Sequence, residues 1–299
     1  RLRSIRARPI RVGASPLMTC ARCPSPSTTS ARIAGKVYPL CPSCERPLVA
    51  HITSTPTMTI DAMQTPFPVL SRGHVFNVMA CGEAFHPSWW SFQDEQDVRE
   101  LWWHIKPGDV VADVGADFGS YTLSALAQGA AKVYAWSPPF KHPTEPIEAM
   151  TLAASAQLNG WADRLQLHST GLWDKPGLLA AFDGPRKAKF CATAAEQMAA
   201  IQGQPGNCAI FPVGKLDALN LQRLDWLKVD TECCEFEVLN GAMQTIVRCH
   251  PAILLEHHYH IDPDCETKCS ALLSTLGYKQ DGETRPHGMV AHSLYRFAG

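Results

Sequence analysis

Three groups of residues in this chain have types and spacings suited to chemistry. In "WLKVDTECCE", Asp230 and Glu232 stand two apart at the end of a strand-like run. Two carboxylates so placed can hold a polar substrate and accept the proton of a hydroxyl that is becoming a nucleophile. They can also serve structure, Asp230 as the cap of a helix starting near residue 234 and Glu232 as a partner of its dipole. In "VVADVGADFGSYT", Gly115 and Gly119 join a strand-like run to a helix-like one, with Asp113 before them and Asp117 between them. Glycines at such a turn let the backbone approach a ligand that a Cβ would push away, or let the turn pack tightly on its own account. In "CARC" and "CPSC", Cys20, Cys23, Cys41 and Cys44 form two pairs with 17 residues between them. That is the spacing of a four-thiolate structural zinc site, a disordered reduced arm being the alternative.

The glycine turn discriminates between ligands. Nicotinamide dinucleotide sites use GxGxxG to seat a pyrophosphate on a helix N-terminus. Here the spacing is GxxxG, and Asp113 and Asp117 would repel a pyrophosphate. They suit a ligand carrying an ammonium and a sulfonium, which is S-adenosylmethionine. Other residues carry weaker signals. Asp174 follows a strand-like run and reads either as an acceptor for an adenine amino group or as a solvated loop acid. Glu256, His257, His258 and His260 end another strand, where neighbours point to opposite faces, so only alternate members converge. For Glu256 or His258 a substrate-side role is favoured over a metal. Trp89, Trp90, Trp102 and Trp103 wall an acceptor pocket or, on the preferred reading, pack the interior. Cys265 and Cys269 share a helix face and read as core.

The elements that must position these residues alternate. "PVLSRGHVFNVMACG" reads as a lead-in hairpin and "WWSFQDEQDVRELWWHI" as a helix closed by "KPGD". Then "DVVADV", "AKVYAW", "RLQLHS", "LDWLKVD", "PAILLEH" and "GMVAHSLYRF" read as strands. Helices are expected at 120–128, 145–159, 235–248 and 265–276, with a hairpin and a helix inside 175–222. Apolar strands alternating with helices imply a doubly wound, mostly parallel sheet covered on both faces. In such a sheet ligands lie beyond the carboxyl ends of the strands, where strand order reverses.

Composition limits the remaining classes. The chain has 299 residues, 45% of them apolar, enough for one large α/β domain with an appendage. No apolar run approaches the roughly 18 residues that span a bilayer, so no membrane partner is expected. The net charge of −1 hides an asymmetry: residues 1–60 hold nine Lys or Arg against one acid, and residues 61–299 hold 18 against 27. The body is therefore unsuited to gripping a phosphate backbone, and nucleic acid is a partner only through the basic arm. Twelve cysteines in a chain this long indicate a reducing compartment, and a cytoplasmic location is expected. Residues 1–17 are Arg-rich and free of acids, and read as a targeting segment or as translated upstream sequence. Residues 18–60 form the cysteine-rich, zinc-ribbon-like arm, 61–104 the lead-in, and 105–299 the main domain.

Over 105–297 the chain resembles the FkbM-type S-adenosylmethionine-dependent methyltransferases of the Rossmann-like class I group. "KPGDVVADVGADFGSYT" is similar to the family's first motif, "KVYAWSP" to its second strand, and "LNGWADRLQLHSTGLWD" to the passage into its third. The most specific stretch is "LDALNLQRLDWLKVDTECCEFEVLNGA" followed by "PAILLEHH". The resemblance implies a seven-stranded sheet, S-adenosylmethionine as cofactor, an active site at Asp230 and Glu232, and transfer to an oxygen of a small molecule or glycan. The chain departs from the family at three positions. Asp117 stands where the family usually has Asn, Cys233 where it has Gly, and Ser137 where an acid holds the cofactor's ribose hydroxyls. Two rival readings remain: methylation of a nucleic acid gripped by the basic arm, and a protein that binds the cofactor without turnover.

Overall fold

The computed structural model describes residues 29–33, 36–40, 66–79, 92–139, 146–182, 189–191 and 208–299. Near the N-terminus, β1 (Thr29–Ile33) and β2 (Lys36–Leu40) pair as an antiparallel hairpin between the two cysteine pairs. The four cysteines lie outside the described residues, as do Trp89 and Trp90. A second hairpin, β3 (Phe67–Ser71) and β4 (His74–Val78), turns through Arg72 and Gly73, both at positive φ. It alternates buried and exposed residues, and its inner Val69, Phe76 and Val78 join the main core with Trp103. The lead-in is therefore packed onto the body: Met79 N–H donates to Ser155 Oγ at 2.9 Å, and Phe76 meets Trp161 edge-on.

The body follows the expected alternation. Strands β5 (Val110–Val114), β6 (Lys132–Trp136) and β7 (Leu165–His168) lie parallel, separated by helices Ser120–Ala127 and Ile147–Leu158. A smaller sheet follows, built from β8 (Gly171–Leu172), β9 (Gly177–Phe182), β10 (Lys189–Cys191) and β11 (Cys208–Gly214) in the order β10-β9-β11-β8. The chain then returns to the main sheet through β12 (Trp226–Val229) and β13 (Ala252–His257), both parallel to β5. It finishes with β14 (Tyr278–Gln280), β15 (Arg285–His287) and the long antiparallel β16 (Val290–Phe297). The main order is β14-β16-β13-β12-β5-β6-β7, with β15 added alongside β16. Seven strands thus form the expected path, and the short β15 is an eighth. Strand order reverses between β5 and β12.

Period-two alternation sorts the strand residues onto two faces. Val111, Val133, Ala135 and Trp226 bury against Leu123, Leu126 and Leu152 on one side. Ala112, Val114, Leu227 and Val229 bury against Val238, Ile246 and Leu273 on the other. One helix differs from expectation. The 235–248 segment is two helices, Glu235–Gly241 and Met243–Cys249, meeting at Ala242. Asp217 explains the break, because its carboxylate accepts the Gln244 N–H at 3.1 Å and the Thr245 N–H at 2.8 Å, capping the second helix. Among the described residues no helix is long and apolar enough to cross a membrane.

Candidate active site

A cavity of about 450 Å³ opens at the carboxyl edge of the sheet, where the strand order reverses. Its volume falls within the range of about 300–1,000 Å³ usual for small-molecule and cofactor sites. The turn after β5 lines it through Gly115, Ala116 and Asp117. The end of β6 contributes Trp136 and Ser137, and the helix after it contributes Glu148, only 4% exposed. Leu179, Ala181 and Phe211 of the smaller sheet give it an apolar wall. Opposite stand Lys228, Asp230, Glu232, Glu256 and His258, joined by Glu95 and Tyr121.

The polar side follows from strand register. Lys228 of β12 sits beside Asp113 of β5, and Glu256 of β13 beside His292 of β16. Lys228 bonds Asp230 Oδ2 at 2.9 Å and lies 3.9 Å from Asp113. Asp113 is fully buried and accepts the Thr122 hydroxyl at 2.6 Å. Glu95 accepts the Tyr121 hydroxyl at 2.7 Å and lies 3.2 Å from His292 Nε2. His258 Nε2 faces Glu232, Asp230 and Glu256 at 3.5, 3.8 and 4.0 Å. Its Nδ1 faces Glu235 at 3.4 Å, and Glu235 in turn accepts the N–H groups of Thr231 and Cys233.

This crowding sets the charges. Burial works against ionising Asp230, but the Lys228 ammonium outweighs it and holds the carboxyl well below the usual range. Burial likewise disfavours a charged Lys228, yet Asp230 and Asp113 push its pKa above the ordinary lysine value. Glu256 goes the other way: burial and the charges of Asp230 and Glu95 push it well above the usual carboxyl range. Burial pulls His258 down, but the hydrogen bond to Glu235 and the charge of Asp230 carry it up to about 9. Glu95 resists burial through His292 and falls to about 2. The wall thus sets carboxyls shifted in opposite directions beside the Lys228 ammonium and the His258 imidazole within one small volume.

Of the residues singled out in the sequence, Gly115, Asp117, Ser137, Asp230 and Glu232 line the cavity. Asp113, Gly119 and Asp174 do not. Asp113 holds Lys228 and Thr122 in the interior. Both glycines are also needed for packing: a Cβ at Gly115 would fall 1.6 Å from the Asp230 carbonyl oxygen, and one at Gly119 would fall 2.3 Å from Leu152. Asp174 packs beside Gly241, its Cα 3.3 Å from where a Cβ on that glycine would stand. Asp230 does not cap the following helix; Glu235 binds that turn's N–H groups instead. Glu256 of β13 and His258, just past its end, converge on the cavity, and Trp103 packs between Tyr121 and Trp226. Cys265 and Cys269 are buried. Cys233 adopts φ 74, which explains the family's preference for glycine there.

The sequence reading gave no role to Lys228, Glu95, Tyr121, Glu148 or His292. Lys228 was legible, since a Lys two residues before Asp230 on a strand must share its face. Glu95 and His292 come from distant segments, and only the fold brings them together.

A doubly wound α/β sheet with its cavity at the reversal of strand order defines a Rossmann-like protein. The sequence profile of the methyltransferase FkbM domain matches residues 113–282, more than half of the chain, and the chain belongs to that family. It is similar to a solved FkbM methyltransferase from Methylobacillus flagellatus KT, at 15% identity and a TM-score of 0.47, covering 66% of this chain and 46% of that one. The chain thus spans less than half the length of that relative. It is also similar to a ribosomal protein L11 methylase from Lactobacillus delbrueckii subsp. bulgaricus, at 15% identity and a TM-score of 0.36, covering 65% and 72%. A third similar structure is M. jannaschii TYW2 in complex with AdoMet, at 12% identity and a TM-score of 0.38, covering 78% and 87%. No curated protein matches the chain significantly.

Proposed function

We propose that the protein is an S-adenosylmethionine-dependent methyltransferase acting on a hydroxyl oxygen of a small molecule or glycan. Membership of the FkbM family supports this, and one observation carries it: the cavity has a cofactor-sized volume bounded by the glycine turn on one side and by Asp230 on the other. Its residues fit the cofactor. The backbone of Gly115 and Ala116 offers close approach, and Ser137 and Glu148 supply oxygen acceptors for ribose hydroxyls. Ser137 Oγ also donates to the Asp117 carbonyl at 3.3 Å, which steadies that turn. When bound, the cofactor supplies an electrophilic methyl group on a sulfonium.

The rest is the work of this chain. Lys228, locked between Asp230 and Asp113, fixes the Asp230 carboxylate at the cavity wall. The apolar face of Leu179, Ala181 and Phe211 excludes water from the acceptor, which favours displacement over hydrolysis. Asp230 is a weak base, so it suits a late proton transfer. A hydroxyl oxygen that has gained a methyl is strongly acidic and surrenders its proton to Asp230 Oδ1 without needing a strong acceptor. Glu232, half exposed at the mouth, is placed to orient the acceptor. The test is mass spectrometry of cell extract incubated with the protein and methyl-labelled cofactor. A labelled small molecule or glycan supports the reading; label on RNA or DNA transfers it to a nucleic-acid acceptor, and label nowhere in any extract sinks the activity.

A further inference from the structure

His258 is 3% exposed, yet its Nε2 points at the cavity into a set of three carboxylate oxygens. Glu232 Oε2, Asp230 Oδ1 and Glu256 Oε1 lie 3.5, 3.8 and 4.0 Å from it, all beyond the hydrogen-bond range of about 2.7–3.2 Å. Asp230 and Glu256 share a side-chain hydrogen bond, so the imidazole faces a linked carboxyl pair together with Glu232, and an ion there would take the place of the shared proton. An ion with bonds of about 2.0–2.2 Å to tetrahedral ligands holds those ligand atoms about 3.4 Å apart. The ligand atoms of Asp230, Glu256 and His258 all lie within 4.8 Å of one another.

We propose that this end of the cavity binds one divalent first-row transition cation through Asp230, Glu256 and His258, with Glu232 at its open side. One imidazole among carboxylates suits ions from Mn²⁺ to Zn²⁺ better than the oxygen-only cages of Ca²⁺ or Mg²⁺. The surroundings match a metal histidine. The other ring nitrogen of His258 faces the Glu235 carboxylate at 3.4 Å, and Glu235 is itself fixed by two backbone N–H groups, so the ring is oriented from behind. Asp230 divides its oxygens, Oδ2 to Lys228 and Oδ1 to the cavity, so the lysine does not occupy the ion's place.

The inference deepens the methyl-transfer reading and rests on it for the ion's role. An ion held there would make a bound acceptor hydroxyl more acidic; Asp230 Oδ1 would then hold the ion, and the proton-acceptor role given to it above would belong to the ion-free site. Binding of the ion is tested separately. Chelator-treated full-length protein is titrated with Mn²⁺ and followed by electron paramagnetic resonance. Mn²⁺ is chosen because four thiolates in the arm would compete for zinc. The expected result is one Mn²⁺ per chain, with affinity falling at least tenfold in His258→Gln and in Glu232→Gln. The half-exposed Glu232 variant keeps the fold, as checked by circular dichroism, should the buried His258 variant fail to. No Mn²⁺ bound at millimolar concentration, or equal binding by wild type and Glu232→Gln, overturns the site. S-adenosylmethionine is titrated into the same samples. Cofactor binding without Mn²⁺ sinks the metal site alone, and Mn²⁺ without cofactor sinks the methyl-transfer reading alone.

Discussion

Asp230 is where the chemistry concentrates, and its neighbours determine what a substitution there does. Asp230→Asn keeps the shape, removes the proton acceptor and takes from Lys228 its nearer carboxylate partner. Turnover should fall about a hundredfold or more, with a smaller loss of thermal stability, as followed by rate and melting temperature. A rate within a few-fold of wild type would make Asp230 a mere partner of Lys228. Gly115 lines the cavity and is also needed for packing. Its missing Cβ makes room for the Asp230 carbonyl, and backbone cannot give way as a flexible side chain does. Gly115→Ala also meets a φ of 85. It should destabilise the whole protein by on the order of 4 kcal/mol or more in denaturant titration. A variant with normal stability would remove the packing role and leave the glycine to the ligand alone.

Elements were legible where one period governs a segment. Strands β5, β6, β7, β12 and β13 are short apolar runs bounded by turns, and each helix between them ends near its expected stop. Asp117, Ser137, Asp230, Glu232, Glu256 and His258 were located because strand ends in such a sheet point at one edge. What the sequence hid depends on distant contacts. The break at Ala242 needs the Asp217 cap from a separate loop, and the apolar wall comes from the smaller sheet, whose strands pair across long connections. β14 is three residues long, too short for a pattern. The β1–β2 hairpin belongs to the element whose cysteines are expected to hold one zinc. Elemental analysis should show Cys41→Ser losing one zinc equivalent per chain relative to wild type. Near-zero zinc in both would make the arm a simple tail.

At the scale of the whole molecule, buried titratable groups couple stability to pH. His257 is 0% exposed, and burial pulls it down to about 4 against the pull of Glu266 and Glu235. Unfolded, it takes a proton near pH 6.5, so between about 6.5 and 4 the unfolded chain binds more protons and gains. Stability should be level in this respect above pH 6.5 and fall by on the order of 3 kcal/mol as pH drops through 4. Glu95, lowered to about 2 from 4.5, adds its own loss in the window below. Denaturant titrations from pH 7 to 4 should show wild type losing more than His257→Leu; parallel curves would assign the acid sensitivity elsewhere. The account as a whole rests on the cavity being the cofactor's. Calorimetric titration of S-adenosylmethionine into the full-length protein and into Glu148→Gln tests that most directly. One site per chain, at least tenfold weaker in the variant while its melting temperature is held, is the result predicted. No heat of binding to the folded wild-type protein, or affinity unchanged by the variant, would contradict it.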